Sequence, residues 1–150
     1  MIAALQELYQ RDLNKLKTEI ESYQDESKLW VIEKSIKNSA GNLCLHIVGN
    51  LMTYIGNGLG QIGYIRNREF EFAGKDVNRA ELYIQIEQCI EVVIEGLSKV
   101  STDELDQNYP IKIWQEEKGM AFTLIHLYAH LTHHLGQINY HRRLLHTTSS

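Results

Sequence analysis

One pattern recurs four times along this chain: apolar residues spaced three or four apart. Leu5, Tyr9, Leu13, Leu16, Ile20 and Tyr23 form the first set. Leu43, Ile47, Leu51, Ile55 and Leu59 form the second, Leu82, Ile86, Ile90, Val93, Leu97 and Val100 the third, and Leu124, Leu127, Leu131, Leu135 and Ile138 the fourth. This spacing puts each set on one face of an α-helix. A helix with one apolar stripe must bury it against another element, so four stripes with almost no strand signal predict an all-α fold, a four-helix bundle. The single proline, Pro110, agrees with long helices rather than a turn-rich sheet. A helical array would need internal self-similarity, and none is visible.

The helix limits follow from local chemistry. The first segment spans Ile2 to Tyr23. Ser39 is placed to N-cap the second, and the glycines of IGNGLGQIG are expected to end it. Asn78, with Glu81 three residues later, resembles a capping box at the head of the third. The fourth runs from Met120 to His146, roughly 40 Å of helix. Between them, Asp25 to Ser39 is a short helix or an irregular crossing around Trp30, and Gly60 to Val77 is a structured loop folded over one end. Ser101 to Glu104 makes at most one turn, Tyr109 to Gln115 a brief extended piece, and the terminal HTTSS is expected to fray.

At 150 residues the chain reads as one domain, residues 1–150, with enough length for a real core. A net charge of −4, with Arg142-Arg143 the only local basic pair, argues against a nucleic-acid partner. No run is long enough for a membrane span and no signal-peptide pattern opens the chain, so a cytoplasmic protein with no membrane association is expected. Cys44 and Cys89 fall in apolar helical patterns and are expected as buried free thiols.

Histidine distribution is the chemical signal. Six of the seven histidines lie between His126 and His146, a stretch with no acidic residue, and the seventh is His46. Residues four apart on a helix share a face. His126/His130, His130/His134 and His133/Gln137 are such pairs. One ion cannot take His126, His130 and His134 together, because eight residues of helix separate the outer two by roughly 12 Å. One pair must be used, and His46, alone on another helix, is the natural third ligand. Three protein ligands with an open fourth position is the arrangement of a reactive metal site. The plainer alternative is that a histidine beside an apolar stripe is a hydrogen-bonded core or boundary residue. His133, His141 and His146 are expected at the surface or behind the ligands, and His126 is expected within the bundle or lining a pocket.

Other templates are absent. The residues three before each histidine are Leu43, Thr123, Leu127, His130, Leu131, Ile138 and Arg143, so no Glu-x-x-His exists for a carboxylate-bridged di-iron bundle. His-Glu-x-x-His, Cys-x-x-Cys and Gly-x-Ser-x-Gly do not occur. The glycine cluster has no Lys-Ser/Thr ending and no preceding strand, which excludes a phosphate loop.

The run His126-Leu-Tyr-Ala-His130-Leu-Thr-His-His134-Leu-Gly-Gln137-Ile-Asn-Tyr-His-Arg-Arg resembles the DinB/YfiT-like superfamily, and Asn42-Leu-Cys-Leu-His46-Ile-Val-Gly-Asn50-Leu resembles the second-helix half of its site. Gly63-Tyr-Ile-Arg-Asn-Arg-Glu69 and Asn139-Tyr-His-Arg-Arg143 are similar to features of one bacterial branch, and the likeness covers nearly the whole chain. It implies a four-helix bundle with one histidine from the second helix and a His-x-x-x-His pair in the last. The Leu135-Gly136-Gln137 that follows selects His130 and His134. It further implies one divalent metal ion, nickel or zinc, and a homodimer.

The resulting expectation is a divalent-metal-dependent enzyme with His46, His130 and His134 as ligands, activating a thiol or water as a thiol S-transferase or hydrolase on a small-molecule substrate. A non-catalytic metal- or small-ligand-binding stress-related bundle protein is the alternative. Gln137 and Asn50 are candidates to support the ligands, and Tyr54, His126, Arg66 and Arg68 to line a pocket. No catalytic general base is identifiable: no Asp or Glu lies near either ligand segment in sequence, and one would have to arrive from the first or third helix.

Overall fold

A computed structural model describes residues 1–146; Thr147–Ser150, most of the tail expected to fray, lie outside the described residues. The described residues are helical with no strand, apart from one isolated bridge between Asn108 and Gly119. None of their helices is long and apolar enough to cross a membrane.

Helix α1, Ile2–Glu21, turns Leu5, Tyr9, Leu13, Leu16 and Ile20 inward. A 3₁₀ turn, Glu26–Trp30, resolves the ambiguous crossing that follows. Helix α2, Ala40–Leu51, starts where Ser39 Oγ accepts from Asn42 N at 3.1 Å, and all of its residues are buried. The helical run ends inside the glycine cluster, as expected, though not at the first of its glycines. The chain continues through a π-helical turn, Met52–Asn57, into α3, Gly58–Gly60, and stops at Gln61, which takes the left-handed conformation (φ 51°). The first of these glycines serves close packing: a Cβ on Gly56 would lie 2.7 Å from Ile62 Cδ1 and 3.0 Å from Val92.

The segment expected as a loop over one end contains a helix of its own. Helix α4, Arg68–Ala73, is capped by Asn67 and packs along α2. Helix α5, Arg79–Ser98, begins at Asn78, whose side chain accepts from Ala80 N. A reciprocal capping box does form, but later, between Ser101 and Glu104, at the head of the 3₁₀ turn Thr102–Asp106. Helix α6, Met120–Leu145, closes the fold.

Helices α1 and α2 each pack against both α5 and α6. The shared core includes Tyr9, Leu13, Leu16, Ile47, Leu51, Ile86, Val93, Leu124 and Leu131, all essentially without solvent contact. Each such aliphatic side chain contributes about 1.5–3 kcal/mol relative to exposure. Tyr9 OH, buried in this core, donates to Leu124 O at 2.8 Å. Cys44 and Cys89 are buried and unbridged.

Candidate metal centre

Three elements build the site. The Ser39 cap fixes the start of α2 and so the direction of His46, which is buried. The uninterrupted α6 projects His130 and His134 from successive turns of one face. Helix α4, docked along α2, adds Glu71 behind His46.

The histidine nitrogens converge. His130 Nε2 lies 3.1 Å from His46 Nε2 and 3.1 Å from His134 Nε2. The three ligand nitrogens all lie within 4.8 Å of one another, so the trio could hold a metal ion. Two nitrogens bound about 2.0–2.1 Å from one tetrahedral ion sit roughly 3.3 Å apart, close to the observed spacing.

Proton placement makes this convergence informative. His46 Nδ1 faces Glu71 Oε1 at 3.0 Å, and His134 Nδ1 faces Gln137 Oε1 at 2.7 Å. Both oxygens only accept, so both histidines carry their proton on Nδ1 and present a bare lone pair at Nε2. A proton on His130 Nε2 can serve one of those lone pairs, not both. A cation serves all three. Burial, and the like charges that His134 and His46 would carry, push the His130 imidazole down to about 3. Burial likewise lowers His134, against the opposing hydrogen bond to Gln137. Both rings therefore stay neutral with lone pairs available at ordinary pH.

Residues 2–149 match the model of DUF1572, a family described as a protein of unknown function. The chain belongs to the DUF1572 family. No curated protein matches it at a significant level.

Other residues of this DUF1572 chain divide clearly. Gln137 is exposed and bonds His134. Asn50, one turn past His46 on α2, is buried with its Oδ1 lacking any hydrogen-bond partner. Tyr54 is half-buried, with the Arg66 guanidinium 5.7 Å from its ring centre. His126 stands apart from the trio: it is exposed and packs on Trp114 and Phe122, because its turn of α6 faces the 108–119 segment rather than α2. Arg66 is not a free anion-binding group, since both oxygens of Glu71 occupy its guanidinium at 2.9 Å. Arg68 lies over Phe72.

Two histidines expected outside the core depart from that expectation, and His133, which is exposed, does not. His141 is buried, with Nδ1 against Tyr23 OH at 2.6 Å and Nε2 against Val31 O at 2.8 Å. His146 is half-buried beside the Tyr23 ring. The residue that the sequence reading lacked is Glu71. It comes from neither the first nor the third long helix but from α4. An Asn cap followed by Arg-Glu-Phe-Glu-Phe was the available signal for that helix.

Proposed function

We propose that this protein is a metal-dependent enzyme of the DinB/YfiT-like superfamily. It holds one divalent ion, nickel or zinc, on His46, His130 and His134, and acts on a thiol or a water as a thiol S-transferase or hydrolase. The observation that carries the reading is the set of three converging Nε2 atoms, two of them left as bare lone pairs by Glu71 and Gln137. The packing of α1 and α2 against α5 and α6 supports the superfamily's four-helix bundle, and the resemblance of the two His segments supports its ligand set. The homodimer rests on the same resemblance, and a monomeric mass in solution would remove it.

A divalent ion bound there supplies Lewis acidity, lowering the pKa of a coordinated water or thiol. The chain's own groups do the rest. Glu71 and Gln137 hold two imidazoles with Nε2 forward. Asn50 Oδ1, one turn beyond His46, is buried and unpartnered. The reactive thiol, where one is used, comes from the substrate: burial pushes Cys44 up to about 12 and Cys89 higher still. A cleft of about 410 Å³ lined by Ile36, Lys37, Leu43, Gln137, Tyr140 and Leu144 shares Gln137 with the centre and suits a small molecule.

One observation favours the second reading, a non-catalytic metal- or ligand-binding protein. Glu71 sits on the Nδ1 side of His46, paired with Arg66, and so is not placed as a general base. Turnover of thiol-reactive electrophiles by the loaded protein separates the two. The first test is elemental analysis of untagged protein beside His130→Ala. One ion per chain, lost in the variant with helicity intact, is expected. Protein that cannot be loaded with nickel or zinc overturns the proposal.

A further inference from the structure

Glu71 is held in place from more sides than a surface ion pair needs. Its side chain is buried, and Arg66 grips it through Nε to Oε2 and Nη2 to Oε1, each at 2.9 Å. Its backbone is pinned to α2: Asn42 Nδ2 donates to Glu71 O at 3.0 Å and to Gly74 O at 2.7 Å. Asn42 is oriented in turn by Ser39 Oγ, which donates to Asn42 Oδ1 at 2.6 Å. On α2 itself, Gly49 leaves the space the carboxylate fills. A Cβ there would lie 2.0 Å from Glu71 Oε2 and 2.5 Å from Cδ. Phe72, one residue on, packs its ring against His46 at 4.7 Å between centroids.

Stability does not account for this arrangement. Burying an ion pair gains little over apolar residues of similar volume, because both charges must leave water. Arg66 meets both oxygens of the Glu71 carboxylate, which fixes the plane of the group beside His46. The carboxylate then has one remaining task. Its Oε1 is 3.0 Å from His46 Nδ1, whereas Arg66 Nη2 comes no closer to that nitrogen than 3.5 Å. The shorter contact assigns the Nδ1 proton to the bond with Glu71.

We propose that Glu71 is a positioning residue of the three-histidine centre: locked by Arg66 and admitted by Gly49, it holds His46 in the Nδ1–H tautomer with Nε2 turned toward His130 and His134. The assignment rests on the metal-centre reading above. A carboxylate or carbonyl behind a ligating imidazole fixes its orientation and raises its basicity, and losing such a partner typically weakens metal binding by about 10–100-fold. Glu71 touches neither the ion position nor a substrate, so its effect falls on affinity and tautomer.

The test compares wild type with Glu71→Gln, Glu71→Leu and Gly49→Ala. Nickel affinity is read by chelator competition and the His46 tautomer by imidazole ¹⁵N shifts of the metal-free proteins. Glu71→Leu is expected to weaken nickel binding by about 10–100-fold and to move the His46 proton off Nδ1. Glu71→Gln, which keeps an acceptor but no charge, should fall between. Gly49→Ala displaces the carboxylate without altering any ligand and should shift both readouts in the same direction. Glu71→Gln carries the test where the leucine variant does not fold. Folded variants that bind nickel as tightly as wild type, with His46 still protonated on Nδ1, overturn the assignment. If instead the wild type itself binds no nickel or zinc, the metal-centre reading fails and the positioning role fails with it, a result told apart by the wild-type titration alone.

Discussion

Helix α6 carries two kinds of buried histidine about three turns apart, and they differ in who completes them. His141 is the more deeply buried, yet each of its nitrogens meets a protein group: Val31 O takes the Nε2 proton and Tyr23 OH reaches Nδ1. His130, less buried, points Nε2 at two other Nε2 atoms that have no proton to give. The first environment is closed by the fold. The second could hold a metal ion. Burial and helical spacing do not distinguish them; the count of satisfied nitrogens does.

Substitution at the two sites should separate binding from stability. His130→Ala is expected to abolish ion binding while the metal-free protein keeps its thermal midpoint, since the ring removed had only other lone pairs facing Nε2. A large fall in that midpoint would make the trio structural. His141→Ala should do the reverse. Metal content stays at the wild-type value, while urea unfolding shows a loss of about 2–4 kcal/mol from the cavity and the orphaned Tyr23 and Val31 groups. Tyr23→Phe keeps the ring and removes one hydrogen bond, so a loss of about 1–2 kcal/mol with unchanged metal content is expected.

The smallest effect is a pH dependence along the seam between α1 and α6, on the side of α6 away from the centre. Burial raises Asp12, but Arg11, Tyr128 and Lys15 outweigh it and hold the carboxyl below its usual range. Glu19 is likewise raised by burial and lowered further by Arg142 and Asn139. Folded pKa values below the unfolded ones mean that the native state binds fewer protons. The stability these groups contribute is therefore complete above roughly pH 4 and lost as pH falls below it. Asp12→Asn should flatten the acid limb of urea midpoints taken between pH 3 and pH 6. An unchanged limb would show that the seam does not report on proton uptake.

The parts legible in the sequence were those whose partners lie within a few residues. The apolar stripes, the Ser39 and Asn78 caps and the four-residue spacing of His130 and His134 all follow from local geometry. Glu71 was not legible, because its helix is six residues long, too short for a periodic signal, and its contact with His46 is 25 residues away in sequence. His141 was misplaced for the same reason on a larger scale: Tyr23 and Val31 lie 118 and 110 residues from it. The stop within the glycine cluster was legible as well, whereas the close approach of Ile62 and Val92 to Gly56 was not, because it is a contact between elements.

The π turn in the second helix has a consequence for phase. Leu43, Ile47, Leu51, Ile55 and Leu59 are spaced by four throughout, whereas an α-helix turns every 3.6 residues. At that pitch each step of four overshoots by about 40°, and four steps would carry Leu59 roughly 160° around from Leu43. The wider turn over Met52–Asn57 takes up the excess, so the row stays on the core from end to end. It works as a vernier between two settings. The stretch before it aims His46 at α6, and the stretch after it aims Leu59 at Gly96 of α5. Deleting one residue there would reset the second aim and leave the first untouched.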